Sequence, residues 1–442
     1  MGGESLKMII DHHPFQVNDH GHLEIGGMDT IALAEKYGTP LYVYDVGMIR
    51  ANCRAFVNSF KDLGVTAKVA YASKAFSTVA MLQVMKQEGM CLDVVSEGEL
   101  YTALQAGFPT ENIHMHGNNK NEAELSMAIK HNIGCIVVDN FYEIALIENI
   151  LEKTNKTMDV LIRVTPGIES NTHQYIMTGN EDSKFGFNLQ NGQAEEAFQL
   201  LHNHSHIRFK GLHCHIGSQI FEADRFLAAT DVLFNEISKW KTLYGYTPEV
   251  LNLGGGFGIR YTEKDDPLPY HIYVEELVSQ VKQHAEVLHM AVPEIWIEPG
   301  RAIVGNAGIT LYTIGAMKQI PGIRQYVSVD GGLTDNLRPA LYGAEYDAVI
   351  ANKAKETTTN DVSIAGKCCE SGDMLIWDLA VPTVEHGDIL AVFSTGAYGY
   401  SMASHYNRLP NAAVVFVEEG IDKLVVRRET YQDLVKNDLS YE

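Results

Sequence analysis

Basic charge is scarce in this chain of 442 residues: 34 Lys and Arg stand against 56 Asp and Glu, giving a formal net charge of -22. Nucleic acid and anionic membrane surfaces both attract basic patches, so neither is expected as a partner. Cysteine is sparse and unpatterned. The six (Cys53, Cys91, Cys135, Cys214, Cys368 and Cys369) contain no CxxC and no paired metal-ligand spacing, which argues against a disulfide framework. Long apolar runs are missing too. None approaches about 18 residues, so no transmembrane helix is expected. Residues 1–14 carry Lys7, Asp11, His12 and His13 and lack the continuous apolar stretch of a secretory signal. A cytoplasmic protein is the expectation, and the sequons at Asn155 and Asn203 are then chance matches.

What is present is an ordinary globular composition, 45% hydrophobic and 20% charged, enough for a sizeable core. Two domains are expected, because a barrel takes about 250 residues as one unit. Eight short β-branched or aromatic runs, at 68–72, 91–95, 112–116, 135–139, 160–164, 209–215, 250–253 and 294–297, alternate with stretches of helical spacing. That alternation predicts parallel strands closed into a (β/α)8 TIM-like barrel over 48–308. A doubly wound open sheet is the competing arrangement. Ahead of the barrel, a helix over Thr30–Tyr37 with Asp29 as N-cap and Gly38 as its stop precedes a strand at 41–44. Past 308 the helical spacing fades. Runs at 326–329, 361–365, 389–393, 413–417 and 423–426 read as antiparallel strands, so 1–47 and 309–442 are expected to form one mostly antiparallel β domain.

Chemistry gathers at the ends of the barrel runs. Lys74 follows the first, where βα-loop catalysis occurs, and a lysine amine is the side chain that forms Schiff bases. After the sixth come His213 and His215, which share a face of the strand. They could be a metal pair, a ring-stacking imidazole with a neighbour, or two packed histidines; no convincing set of further ligands stands at the other strand ends, so no metal is expected. After the seventh comes Gly254-Gly255-Gly256-Phe257-Gly258. Ile259 stands where the last glycine of G-x-G-x-x-G would be, which removes the dinucleotide fingerprint and leaves a loop suited to cradling phosphate. Glu298-Pro299-Gly300-Arg301 closes the eighth. An amine, a glycine loop, an imidazole and an acid for a pyridinium nitrogen together suit pyridoxal 5′-phosphate.

The segments Tyr71 to Phe76, Asp93 to Leu100, His213 to Gln219, Gly254 to Gly258, Glu298 to Arg301, Cys369 to Asp373 and Gly396 to Tyr400 resemble, in order and spacing, the diaminopimelate decarboxylases of the fold type III pyridoxal-phosphate enzymes. The likeness runs from about residue 20 to 430. It implies that Lys74 binds the cofactor, His215 stacks on its ring, and Ser218 with Gly254, Gly255 and Gly256 holds its phosphate. Glu298 would meet the ring nitrogen, with Pro299, Gly300 and Arg301 beside the cofactor. Arg301, Arg338, Tyr342 and Glu370 match substrate positions, and Tyr398 touches both phosphate and substrate. Cys369 matches a proton donor reaching the partner subunit's site, which implies a homodimer with shared active sites.

The substrate also has a physical warrant: two arginines suit a distal carboxylate and Glu370 a distal ammonium, which diaminopimelate carries together. The expected reaction is meso-2,6-diaminopimelate to L-lysine and CO2, the last step of lysine biosynthesis. The alternative is a decarboxylase of ornithine, arginine, lysine or a carboxynorspermidine-type amino acid. A cysteine of reference pKa about 8.5 can protonate a carbanion near neutrality; Cys368 is the neighbouring rival. Two positions depart from the family pattern, Thr165 and His405, where asparagine is usual.

Overall fold

The computed structural model describes residues 15–167 and 183–442; residues 1–14, on which the reading of the N-terminus rests, lie outside them. Two compact units emerge. One comprises Asn52–Gly258 and Pro267–Ala302; the other comprises Met1–Ala51, Ile259–Asp266 and Ile303–Glu442.

The first unit is a closed parallel barrel. Its strands, in order, are Ala67–Ala72, Cys91–Val94, Ile113–Met115, Cys135–Val138, Met158–Thr165, Ile207–His213, Val250–Asn252 and Glu294–Ile297. Each pairs with the next, and the eighth returns to the first through Ile295 opposite Ala67 and Ile297 opposite Val69. The open-sheet alternative is thereby removed. Near-continuous apolar strands such as Cys135-Ile136-Val137-Val138, buried at every position, are what burial on both faces demands. One interior layer packs Cys135, Val137, Leu161, Val250 and Trp296. Helix starts are set locally: Thr78 accepts from the Met81 N–H, and Asn121 forms a capping box with Glu124. These caps end the loops after the first and third strands at a defined residue.

The second unit is built on a sheet ordered Met374–Val381, Asn360–Ala365, Arg324–Val329, Gly308–Ile320, Leu41–Asp45, Ala413–Glu418 and Ile421–Val426. Ala348–Ile350 joins through Ile389–Val392, which pairs with Gly308–Ile320. Two pairings depart from the antiparallel expectation. Arg324–Val329 runs parallel to Asn360–Ala365, and Leu41–Asp45 parallel to Ala413–Glu418. The helix Thr30–Tyr37 forms as expected, with Asp29 accepting from the Ile31 N–H and Gly38 at φ +70°. Its Leu33 and Ala34 join a core of Leu41, Val43, Ile309, Leu311, Ala391 and Val415.

Candidate active site

Lys74 stands on a single 3-10 turn, Ser73–Ala75, directly after the first barrel strand. Ser73 and Ala75 are buried while the lysine is exposed, so the turn is anchored and its amine projects from the barrel's C-terminal rim. The eighth-strand loop is stitched to the same place: the Ala72 N–H donates to the Pro299 carbonyl at 3.2 Å. A Cβ on Gly300 would come within 3.0 Å of the Ala72 methyl. Asp93, Glu99 and His215 all feel the Lys74 charge.

Glu298 is the best-held carboxylate of this rim. Asn252 Nδ2 donates to its Oε1 at 2.6 Å, His213 Nε2 meets Oε2 at 3.1 Å, and His116 Nε2 lies 2.8 Å from Oε1. The His116 contact is an ion pair rather than an aligned hydrogen bond. Asp93 Oδ1 stands 3.8 Å behind His116 Nε2, and all four titratable groups are buried. Burial pushes the Glu298 carboxyl up, but His116 and His213 outweigh it and hold the group well below the usual carboxylate range. The two histidines differ. Burial lowers His213 to about 4 despite Glu298, whereas for His116 the charges of Asp93 and Glu298 overcome burial and raise it.

The pairing of His213 with His215 that strand periodicity suggested is not formed. His213 joins Glu298 and His116, a trio whose ring nitrogens and carboxylate oxygen all lie within 4.8 Å of one another. Its donor atoms are already turned onto one another in the contacts above. His215 instead accepts from the Gly255 N–H through Nδ1 at 3.2 Å. That bond leaves its proton on Nε2, and burial, with Lys74 and Arg163 nearby, keeps the ring neutral, its pKa well below 6.5.

The glycine loop is dictated by close approach. A Cβ on Gly255 would sit 2.0 Å from the Glu298 carbonyl oxygen, one on Gly254 2.3 Å from the Cys214 oxygen, and one on Gly256 2.5 Å from the Gly217 oxygen. Gly254 and Gly256 also adopt positive φ, +69° and +114°. Three loops therefore stack backbone on backbone, and Arg301 Nη2 bonds Ser218 Oγ at 3.0 Å beside them.

The other sequence-selected residues belong to the second unit. Arg338 opens a short helix, Arg338–Tyr342. Its guanidinium lies 4.9 Å from the Tyr261 ring centroid and 5.7 Å from that of Tyr346, and Nη1 donates to the Tyr346 hydroxyl at 2.6 Å. Although only 7% exposed, it stays charged: burial lowers its pKa, and Tyr261 and Tyr346 more than compensate. Tyr342 is half-buried at the end of that helix. Tyr398 takes φ +60°, a left-handed conformation that costs a tyrosine about 1–3 kcal/mol and marks functional segments. Cys369 and Glu370 are exposed while Cys368 is buried. Burial and Asp373 raise the Cys368 thiol to about 11. The Asp373 carboxylate anchors this turn, accepting from the Cys368 and Leu333 N–H groups at 2.8 and 2.6 Å. Asn407 Oδ1 accepts from the Cys369 N–H at 2.7 Å.

The profile of the pyridoxal-dependent decarboxylase pyridoxal-binding domain matches residues 46–305. The diaminopimelate decarboxylase of Bacillus subtilis (strain 168) is 60% identical over 430 residues, covering 97% of this chain and 98% of its own. The chain belongs to the diaminopimelate decarboxylase family. The Bacillus methanolicus member is 61% identical over 418 residues, covering 95% and 97%. The crystal structure of the family member from M. jannaschii in complex with L-lysine superposes with a TM-score of 0.90 at 33% identity, covering 97% and 98%.

This family membership makes the protein a pyridoxal phosphate-dependent carboxy-lyase, and the site fits that cofactor. It offers a projecting lysine, a neutral imidazole, an ionised carboxylate and a side-chain-free glycine rim in one unit. Sequence reasoning did not single out His116 or Asn252. His116 closes the third run as Lys74 follows the first, so the same strand-end criterion would have found it.

Proposed function

We propose that the enzyme converts meso-2,6-diaminopimelate to L-lysine and CO2, as a cytoplasmic homodimer whose active sites are shared between subunits. The observation that carries the substrate is the 60% identity with the Bacillus subtilis enzyme, which extends over both units. Six free cysteines among the described residues suit a reducing compartment. Residues 48–308 act as the cofactor-binding barrel, with 1–47 and 309–442 as the β domain; the match over 46–305 supports those bounds.

Pyridoxal phosphate, when bound, supplies an electron-withdrawing ring that stabilises the electron pair left as CO2 departs. Lys74 would anchor it through its side-chain amine. Ser218, Gly254, Gly255, Gly256 and Tyr398 hold its phosphate, and Pro299, Gly300 and Arg301 line the same loop. His215 stacks as a neutral ring. Glu298 holds a proton on the ring nitrogen, which its ionised state favours.

Arg301 and Arg338 take the distal carboxylate, Glu370 the distal ammonium, and Tyr342 with Tyr398 orients the chain. Arg338 is buried between two tyrosines and bonded to one of their hydroxyls, so a substrate without that carboxylate would leave its charge unpaired. This disfavours ornithine- or lysine-type substrates. Cys369 Sγ then delivers the proton that replaces CO2. It is exposed, whereas the Cys368 thiol is buried and held up near 11.

A CO2-release panel tests the substrate: faster turnover of ornithine, arginine or lysine than of diaminopimelate would refute it. Borohydride reduction and peptide mapping test the anchor, and the label must fall on Lys74.

A further inference from the structure

We propose that His116, braced by Asp93, is a positioning residue that supplies the fixed positive charge keeping Glu298 ionised and aimed at the cofactor's ring nitrogen. The inference rests on the reading that Glu298 meets that nitrogen. It assigns the charge of the site to a residue that need not touch the cofactor.

Three observations carry it. First, Glu298 is 5% exposed, and a carboxylate so buried becomes neutral unless a partner compensates. Second, the partners on its two oxygens are unlike. Oε1 accepts from Asn252 at 2.6 Å and pairs with the His116 ring nitrogen at 2.8 Å; Oε2 meets His213 at 3.1 Å. Only His116 has a second carboxylate behind it, Asp93 Oδ1 at 3.8 Å. Third, the His116 and His213 rings meet edge to face, 4.8 Å apart at 67°, too close for both to carry charge cheaply. The site resolves this by charging one. The directions agree, since His116 is raised and His213 lowered.

Asp93 faces His116 from the second strand, His114 from the third, and Asp139 from just past the fourth. Arg163 faces it from the fifth and His213 from the sixth, Cys214 and Asn252 face Glu298 from the sixth and seventh, and Lys74 acts through Asp93 from beyond the first. Arg163 opposes protonation of His116, and Asp93 with Glu298 overcomes it.

The chemical consequence is a change in what governs the ring-nitrogen proton. With His116 charged, Glu298 remains an acceptor across the working pH range. Without it, only His213 and Asn252 oppose burial, and Glu298 takes up a proton more readily as pH falls. The cofactor would then lose its ring-nitrogen partner on the acid side only.

The test uses the full-length enzyme freed of cofactor and titrated with pyridoxal phosphate between pH 6 and pH 8.5. Binding is followed by intrinsic fluorescence and by the cofactor's absorption spectrum. His116→Gln keeps a donor without charge, His116→Ala removes both, and Glu298→Gln reports on the carboxylate itself. His116→Gln should bind within about threefold of wild type at pH 8.5 but about tenfold more weakly at pH 6, while wild type changes little. The double variant His116→Ala with Glu298→Gln should be no weaker than Glu298→Gln alone, because the first substitution acts only through the second residue.

Wild-type affinity and a flat pH profile in His116→Gln, or additive losses in the double variant, would overturn the proposal. If Glu298→Gln itself leaves affinity and spectrum unchanged, the assignment of Glu298 fails instead. Should His116→Ala not fold, His116→Gln decides.

Discussion

His114 lies flat on Trp296, ring centroids 4.1 Å apart at 9°, two positions from the histidine that carries the charge. Burial holds it near pKa 3, against an ordinary 6.5. Its folded form is therefore neutral while its unfolded form protonates below about 6.5. The sign follows: this residue's share of stability is present above pH 6.5 and is lost as pH falls from 6.5 towards 3. His114→Phe, which keeps the stacking, is expected to narrow the gap between urea midpoints at pH 7 and pH 5. An unchanged gap would mean that other groups set the acid limb. The cysteines separate equally sharply. Cys369→Ala should lower kcat about 10²-fold or more, within the range for a lost proton donor, while Cys368→Ala should leave kcat near wild type. At this scale the sequence was informative wherever chemistry follows a strand end, as at Lys74 and Glu298. It gave the place of His116 at a strand end but not its role, and was silent about Asn252 and Asp373, because those roles depend on which neighbours the closed barrel and the turns bring to them.

Among elements, the loops at the barrel rim tolerate least. Gly255→Ala would drive a methyl to 2.0 Å from the Glu298 carbonyl oxygen, forcing two strand ends apart. Retention of pyridoxal phosphate through gel filtration should be lost, with a fall in unfolding free energy of about 2 kcal/mol or more. Farther along the rim, Lys120 and Glu143 form a buried pair at 2.8 Å, Lys120 also donating to the Gly117 and Val137 carbonyls. Lys120→Met would strand the carboxylate beneath the fourth strand and should cost about 3–5 kcal/mol by urea denaturation. The eight barrel strands were legible because burial on both faces leaves nearly pure apolar runs. The strand Gly308–Ile320 was not. Its first half is buried and its second largely exposed, so no single period spans it. Parallel pairing of Arg324–Val329 with Asn360–Ala365 was equally hidden, since direction depends on a connection rather than on the paired residues.

At the scale of the whole molecule, shared active sites have a direct test. Lys74→Ala and Cys369→Ala proteins, each nearly inactive, are expected on mixing to regain about one quarter of wild-type activity, since half the dimers become mixed and each then holds one intact site. Failure to recover any activity after subunit exchange would place Lys74 and Cys369 in the same subunit's site. Residues from seven separate segments supply the proposed site. Local pattern reaches each segment singly, and only the ordered likeness to a family joined them.

The strand Leu41–Asp45 lies between Gly308–Ile320 on one side and Ala413–Glu418 on the other. On the ribosome it emerges early and must wait for both neighbours, the second of them synthesised last. Until Ala413 to Val417 leaves the exit tunnel, the nascent chain carries an open apolar edge through Tyr42, Val43 and Tyr44, the kind of edge that recruits other chains. Production in the cell should thus be limited less by the barrel than by the delay before this strand finds its last partner.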